Sequence, residues 1–206
     1  MSHGTYVVPI PPDDEALLGS FSSKCRRDVR KGLREGISVE GAETEDLFEA
    51  FCQAHRKMIS RKGLATVREA TYGALRPLHA RSHVKVFAAT HDGRVCNMAL
   101  VDMLGVPKYT LGAVTEAGMA KGCPPTGQVL HYGIMQYFRD RGCKYYDWGG
   151  SPGPVPVEGH PNYTVWRFKY EFNNQFVLSL PAYRRPFGVL GRWATAWARR
   201  SGRLTL

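Results

Sequence analysis

Paired cysteines are missing from this sequence: the five present, Cys25, Cys52, Cys96, Cys123 and Cys143, are scattered and form no C-x-x-C. An odd number at such spacings excludes a disulfide framework or a zinc knuckle and leaves buried thiols as the expectation. Long apolar runs are lacking too, none approaching the roughly 20 residues that cross a bilayer. The opening MSHGTYVVPIPPDDE lacks the basic-then-apolar layout of a signal peptide, so cytoplasm is the expected compartment. No G-x-x-x-x-G-K-[ST] occurs, which removes the usual basis for nucleotide hydrolysis. His79 and His83 have the i, i+4 spacing of a helical metal pair, but no acidic or cysteine ligand stands nearby in a suitable pattern, and no metal is expected. Acids are scarce: 18 Asp and Glu face 28 Lys and Arg, giving +10 and a pI near 9.6. Such a surplus favours a polyanionic partner, nucleic acid or an anionic membrane, without choosing between them.

What is present suits one folded α/β domain: 206 residues, 43% hydrophobic and 22% charged, with no internal repeat. Pro11 and Pro12 close an extended arm (residues 1–16). A helix is predicted from Leu17 to Glu35, with Phe21, Cys25, Val29 and Leu33 as its apolar stripe. On its other side Lys24, Arg26, Arg27, Arg30, Lys31 and Arg34 share an arc of roughly 160°. Only Asp28 and Glu35 offset them locally, so the arc reads as a surface for RNA phosphates rather than a merely solvated face. A short strand, ISVE, follows. A second helix starts at Thr44 as N-cap and stops at Gly63. A third opens on a Thr66 and Glu69 capping box, with Pro77 expected to kink or end it.

The hydrophobic period then changes to two. HVKVFAAT and RVCNMALVDML, joined by Asp92-Gly93, read as a hairpin, and KYTLGAV as a further strand. A loop with Cys123, Pro124 and Pro125 leads to a helix over 126–141 whose stripe is Leu130, Ile134, Tyr137 and Phe138. CKYYDW is a strand running into a glycine and proline loop, followed by a short helix over 165–171 and a last strand, NQFVLSL. Antiparallel strands between helices, then a crossover helix and one more strand, predict a mixed sheet with helices on both faces, the order of a GNAT-like acyltransferase fold spanning 17–182. Beyond it lies a basic tail (183–206) carrying Arg184, Arg185, Arg192, Arg199, Arg200 and Arg203 without an acid. Its Leu190, Trp193 and Trp197 form an apolar stripe expected to pack against the domain.

Two stretches carry a resemblance. YYDWGG at 145–150 and TVWRFKYEFN at 164–173, about twenty residues apart, are similar to the C-terminal signature of the FemABX family: a Y-D-[FW]-x-G strand end, then a helix with F-K-x-x-F. SKCRRDVRKGLREGISVE resembles the basic helix that opens that family's second GNAT-like domain, and MISRKGL resembles its stretch with an Arg shortly before Gly. The resemblance implies an aminoacyltransferase that takes an amino acid from aminoacyl-tRNA, as co-substrate with no other cofactor, to an amine. The family's cell-wall enzymes carry two such domains and this chain one, which puts a large cell-wall precursor in doubt as acceptor. Single-domain relatives serve peptide natural-product pathways, such as the alanyl-tRNA-using transferase of pacidamycin-type antibiotics. A small peptide acceptor, held on a carrier protein, is the implied partner, in antibiotic or cell-wall-related biosynthesis.

By the same resemblance Lys169 stabilises the charge that develops on the ester carbonyl, Phe168 contacts the terminal adenosine, and Arg61 holds the acceptor; Trp166, on the same helix, is a further substrate-binding candidate. From residue chemistry alone Lys169 reads as a solvated or salt-bridged helix residue, and Phe168 or Trp166 as core. Arg61 could equally offset a helix dipole. Asp147, at a strand end beside glycines, either orients the amine or caps the following loop. No general base stands out. Lys24, Arg27, Arg30, Lys31 and Arg34 are the expected RNA contacts. Two other readings compete. A GNAT enzyme using acyl-CoA would cradle the pyrophosphate in the turn TEAGMAKGCPPTGQVL, where two prolines remove backbone donors. A tRNA-binding relative without catalysis is the second.

Overall fold

The structure, a computed structural model, describes residues 4–63, 69–172 and 175–178. The Thr66 half of the expected capping box and the basic C-terminal segment lie outside these residues. In chain order the elements are β1 (Gly4–Pro9), α1 (Asp14–Ser20), α2 (Ser23–Arg34), β2 (Ser38–Ala42), α3 (Glu45–Arg61) and α4 (Glu69–His79). Then come β3 (Val84–His91), β4 (Arg94–Asp102), β5 (Lys108–Val114), α5 (Glu116–Met119), α6 (Thr126–Arg139), β6 (Tyr145–Ser151), α7 (Tyr163–Tyr170) and β7 (Gln175–Leu178).

The strands form one seven-stranded sheet in the order β2-β3-β4-β5-β6-β1-β7. All described pairings are antiparallel except β5 with β6, which the α6 crossover makes parallel. The mixed sheet with helices on both faces is therefore the architecture that the element order predicted. Side chains along β3 and β4 alternate between two cores, as a period of two requires. Val86, Ala88, Met98 and Leu100 join Phe48, Phe51 and Cys52 of α3 on one face. Phe87, Ala89, Ala99 and Val101 join α1, α2 and α6 on the other.

Several local signals act as the sequence suggests. Thr44 accepts a hydrogen bond from the Leu47 amide and caps α3, and Asp92 (φ 49°) and Gly93 (φ 69°) make the hairpin turn. Pro77 sits in the last turn of α4, which ends two residues later. His79 is buried, its Nδ1 3.3 Å from Val84 O and its Nε2 3.2 Å from Thr44 O, so it ties α4 to β3 and to the start of α3.

Two expectations are corrected. The helix read over 17–35 is two helices. Phe21 is extended (φ −75°, ψ 162°) and Ser22 starts α2 by accepting from the Cys25 amide. The break sends the Phe21 ring against Phe172 and Tyr132, at centroid distances of 5.0 and 6.3 Å. The buried stripe of α2 is Cys25, Val29 and Gly32, whereas Leu33 is exposed. At Gly32 an added Cβ would stand 2.5 Å from Val129 and 2.7 Å from Ile37, so α2 packs on α6 through a missing side chain. The N-terminal arm is likewise more than extended: residues 4–9 are a strand paired with β6 on one side and β7 on the other.

Candidate active site

The parallel strands β5 and β6 share one register pair, Lys108 with Asp147, where the Asp147 amide donates to Pro107 O at 2.8 Å. Gly149, two residues on, has φ +69°, and a Cβ there would stand 2.7 Å from Tyr109 O. Only glycine satisfies both demands at that point. The Y-D-W-G sequence thus turns β6 past the start of β5 and aims its last carbonyls at α7.

Lys169 meets them. It is 8% exposed, and its Nζ donates to Trp148 O at 2.8 Å and Gly150 O at 3.1 Å. Burial pushes the ammonium down to about 8, while the negative charge of Asp147 pulls the other way. At pH 7 the group still carries its proton by about ten to one. It lies 5.8 Å from the centroid of the Tyr109 ring, over the face of that ring. Asp147 itself accepts from the Thr5 hydroxyl and, at 2.7 Å, from the Gly149 amide. It therefore caps the turn, one of the two roles the sequence allowed, and adds a fixed negative charge near Lys169.

Tyr109 closes one wall of a cavity of about 290 Å³ between β5, α3, α6 and α7. Phe168 lines it from α7 and His131 from α6. His131 is buried, its Nδ1 3.0 Å from Tyr146 OH, and burial followed by the Lys169 charge pushes it down to about 3, so it is a neutral imidazole. A second cavity, of about 330 Å³, opens between α2, α6 and α7 and is lined by Lys24, Gln128, Tyr163, Arg167 and Glu171. Thr164 and Phe168 border both spaces.

The remaining sequence candidates are dispersed. Trp166 is buried in the core, where its indole N–H lies 2.5 Å from Tyr6 OH and 3.1 Å from Gly153 O, and it holds the loop after β6. Arg61, exposed in the last turn of α3, lines a third cavity, of about 330 Å³, with Lys57 and Arg94. That space and the 290 Å³ cavity meet at Val114. Along α2, Lys24 is paired with Asp28 (3.1 Å) and Glu171 (3.0 Å); Arg27, Arg30, Lys31 and Arg34 are exposed, Arg27 lying 3.9 Å from Asp28 and Lys31 3.8 Å from Glu35. The Ser22 amide also donates to Glu171 O at 3.0 Å, which docks the start of α2 onto the end of α7. Tyr109 and His131 escaped the sequence reading. The signal for His131 was a polar residue on the buried side of α6, three before Ile134; Tyr109 offered none.

Solved structures share this architecture at low sequence identity. FemX superposes with a TM-score of 0.74 at 18% identity, over 85% of this chain and 60% of the FemX chain. L-PGS from Bacillus licheniformis gives 0.56 at 15%, over 95% of this chain and 66% of that one. The DUF2156 C-terminal domain from Agrobacterium fabrum gives 0.59 at 14%, over 85% and 58%. The chain thus spans about 60% of the length of these relatives. No curated protein matches the sequence significantly. The signature described as an acetyltransferase (GNAT) domain matches residues 19–163. Because that match runs from the end of α1 through the parallel strand pair to the start of α7, the chain belongs to the GNAT family of acyltransferases.

Proposed function

We propose that this GNAT acyltransferase moves an aminoacyl group from the 3′ end of a tRNA to an amine, as its resemblance to the FemABX family implies. The carrying observation is the pair of cavities that meet at Thr164 and Phe168. One has Tyr109 as a wall, with the buried Lys169 ammonium off the lining and 5.8 Å from the centroid of that ring. The other, at the foot of the basic helix, is lined by Lys24, Arg167, Tyr163 and Gln128 together with the carboxylate of Glu171. An ester of a nucleic-acid end has the matching division: an acyl group on one side, a base and phosphates on the other. Phe168 and Tyr163 offer stacking surfaces for an unpaired base, Arg167 offers charge to a phosphate while Lys24 is engaged by Asp28 and Glu171, and the exposed face of α2 continues the track.

In the reaction a neutral amine attacks the ester carbonyl. The new C–N bond forms, the C–O bond to the ribose breaks, and the leaving 3′-oxygen takes up the proton released by the amine. Negative charge gathers on the carbonyl oxygen, and the fixed field of Lys169 lowers that barrier. Asp147 and Thr5 set the turn that holds Lys169 in place. Arg61, on a lining shared with Arg94 and the Lys57–Glu116 pair, would bind a carboxylate or phosphate of the acceptor, a small peptide free or on a carrier protein. Antibiotic or cell-wall-related biosynthesis is the setting this chemistry fits.

An acyl-CoA donor is disfavoured by the start of α6. Pro124 and Pro125 carry no amide hydrogen, and the Thr126 amide already donates to Pro124 O at 2.7 Å. Incubation with labelled aminoacyl-tRNA sets and candidate amines, beside calorimetry with acetyl-CoA, tests the choice. The expected result is a new amide and no saturable coenzyme binding. Tight acetyl-CoA binding without transfer from tRNA would overturn the proposal, and RNA retention with no amide from any acceptor would favour a non-catalytic tRNA-binding relative.

A further inference from the structure

Resting on that reading, we infer that the 290 Å³ cavity receives the side chain of the transferred amino acid and selects an uncharged, apolar one. The walls are Met58, Ala113, Val114, Val165 and the rings of Tyr109 and Phe168. Apart from the exposed Lys62, the polar side chains on the lining are few and neutral: Asn97, Thr164 and His131, the last because burial strips its proton. They are hydrogen-bonding partners for the amine that every aminoacyl group carries next to its carbonyl, and they tell no side chain from another.

Charge decides against the alternatives. No Asp or Glu lines the cavity among the described residues, Lys62 stands on its lining, and the Lys169 ammonium lies behind Tyr109. A lysyl or arginyl side chain would enter a space bordered by two cations with no carboxylate to receive it. A glutamyl side chain would exchange water for aliphatic carbon, with an exposed Lys62 as its nearest lining cation. Size favours a larger apolar group over a small one. A dry cavity of about 150 Å³ takes a benzene ring, so this one has room for a leucyl or phenylalanyl side chain and the adjoining amine. Each further methylene buried adds about fourfold to affinity.

Amide-linked 3′-aminoacylamino-3′-deoxyadenosines, which cannot transfer, test this by calorimetry in the intact chain without knowledge of the acceptor. The leucyl and phenylalanyl forms are expected to bind at least tenfold tighter than the lysyl and glutamyl forms, with alanyl between. Val165 is 52% exposed, so Val165→Glu adds a carboxylate to the wall without disturbing the core. This variant is expected to strengthen lysyl binding severalfold and to weaken leucyl binding. Equal or tighter binding of lysyl or glutamyl by the unaltered protein overturns the selectivity and leaves the donor assignment standing. An unchanged ranking in Val165→Glu overturns the location. Failure of every analogue to bind removes the donor assignment and the inference with it.

Discussion

A buried ammonium held by two carbonyls is costly, and the cost has a pH signature. Lys169 falls from an ordinary value near 10.5 to about 8 in the folded chain. Between those values the unfolded chain binds more protons than the folded one, so the native state gains stability as pH rises from 8 toward 10.5. Relative to Lys169→Met, the unaltered protein should gain up to about 3 kcal/mol across that window in urea titrations at stepped pH. Activity runs the other way. Losing the ammonium above about pH 8 should lower transfer, and Lys169→Ala should lower it by about 10²–10³ with tRNA binding nearly kept. Near-normal turnover in that variant would refute the assigned role. Trp166 shows why residue roles are hard to read from a string: its place beside Phe168 in the family-like helix suggests a site, but its indole is spent on Tyr6 and Gly153. Trp166→Phe should destabilise the fold by about 1–2 kcal/mol, read from the denaturant midpoint.

Elements were legible where local chemistry fixes them. The α3 cap, the Asp92-Gly93 turn and the α6 stripe follow from backbone and periodicity alone. The break between α1 and α2 was not legible, because Phe21 leaves the helix to join Phe172, a residue 151 positions away in sequence that no local pattern can announce. The break also leaves α2 with its cationic face outward. Neutralising Arg27, Arg30 and Lys31 together should weaken tRNA binding and flatten its dependence on salt by about three in the log–log slope, as filter binding across a salt series would report. An unchanged slope would place the RNA surface elsewhere. Ser22→Ala should cost about 1 kcal/mol of stability by removing the α2 cap.

Across the whole molecule, the pairing of the first strand is the feature least visible in the sequence. β1 lies between β6 and β7, and the Thr5 hydroxyl reaches Asp147 over a separation of 142 residues. Deleting residues 4–9 should therefore strip β6 of its antiparallel partner, cut β7 off from the sheet and abolish cooperative unfolding, as thermal melts by circular dichroism would show. The order of synthesis gives this arrangement a further consequence. A ribosome releases the first strand long before the two that flank it, so the segment waits unpaired until residues 145–178 emerge. Closure of the sheet and completion of the lysine's surroundings are then a single late event.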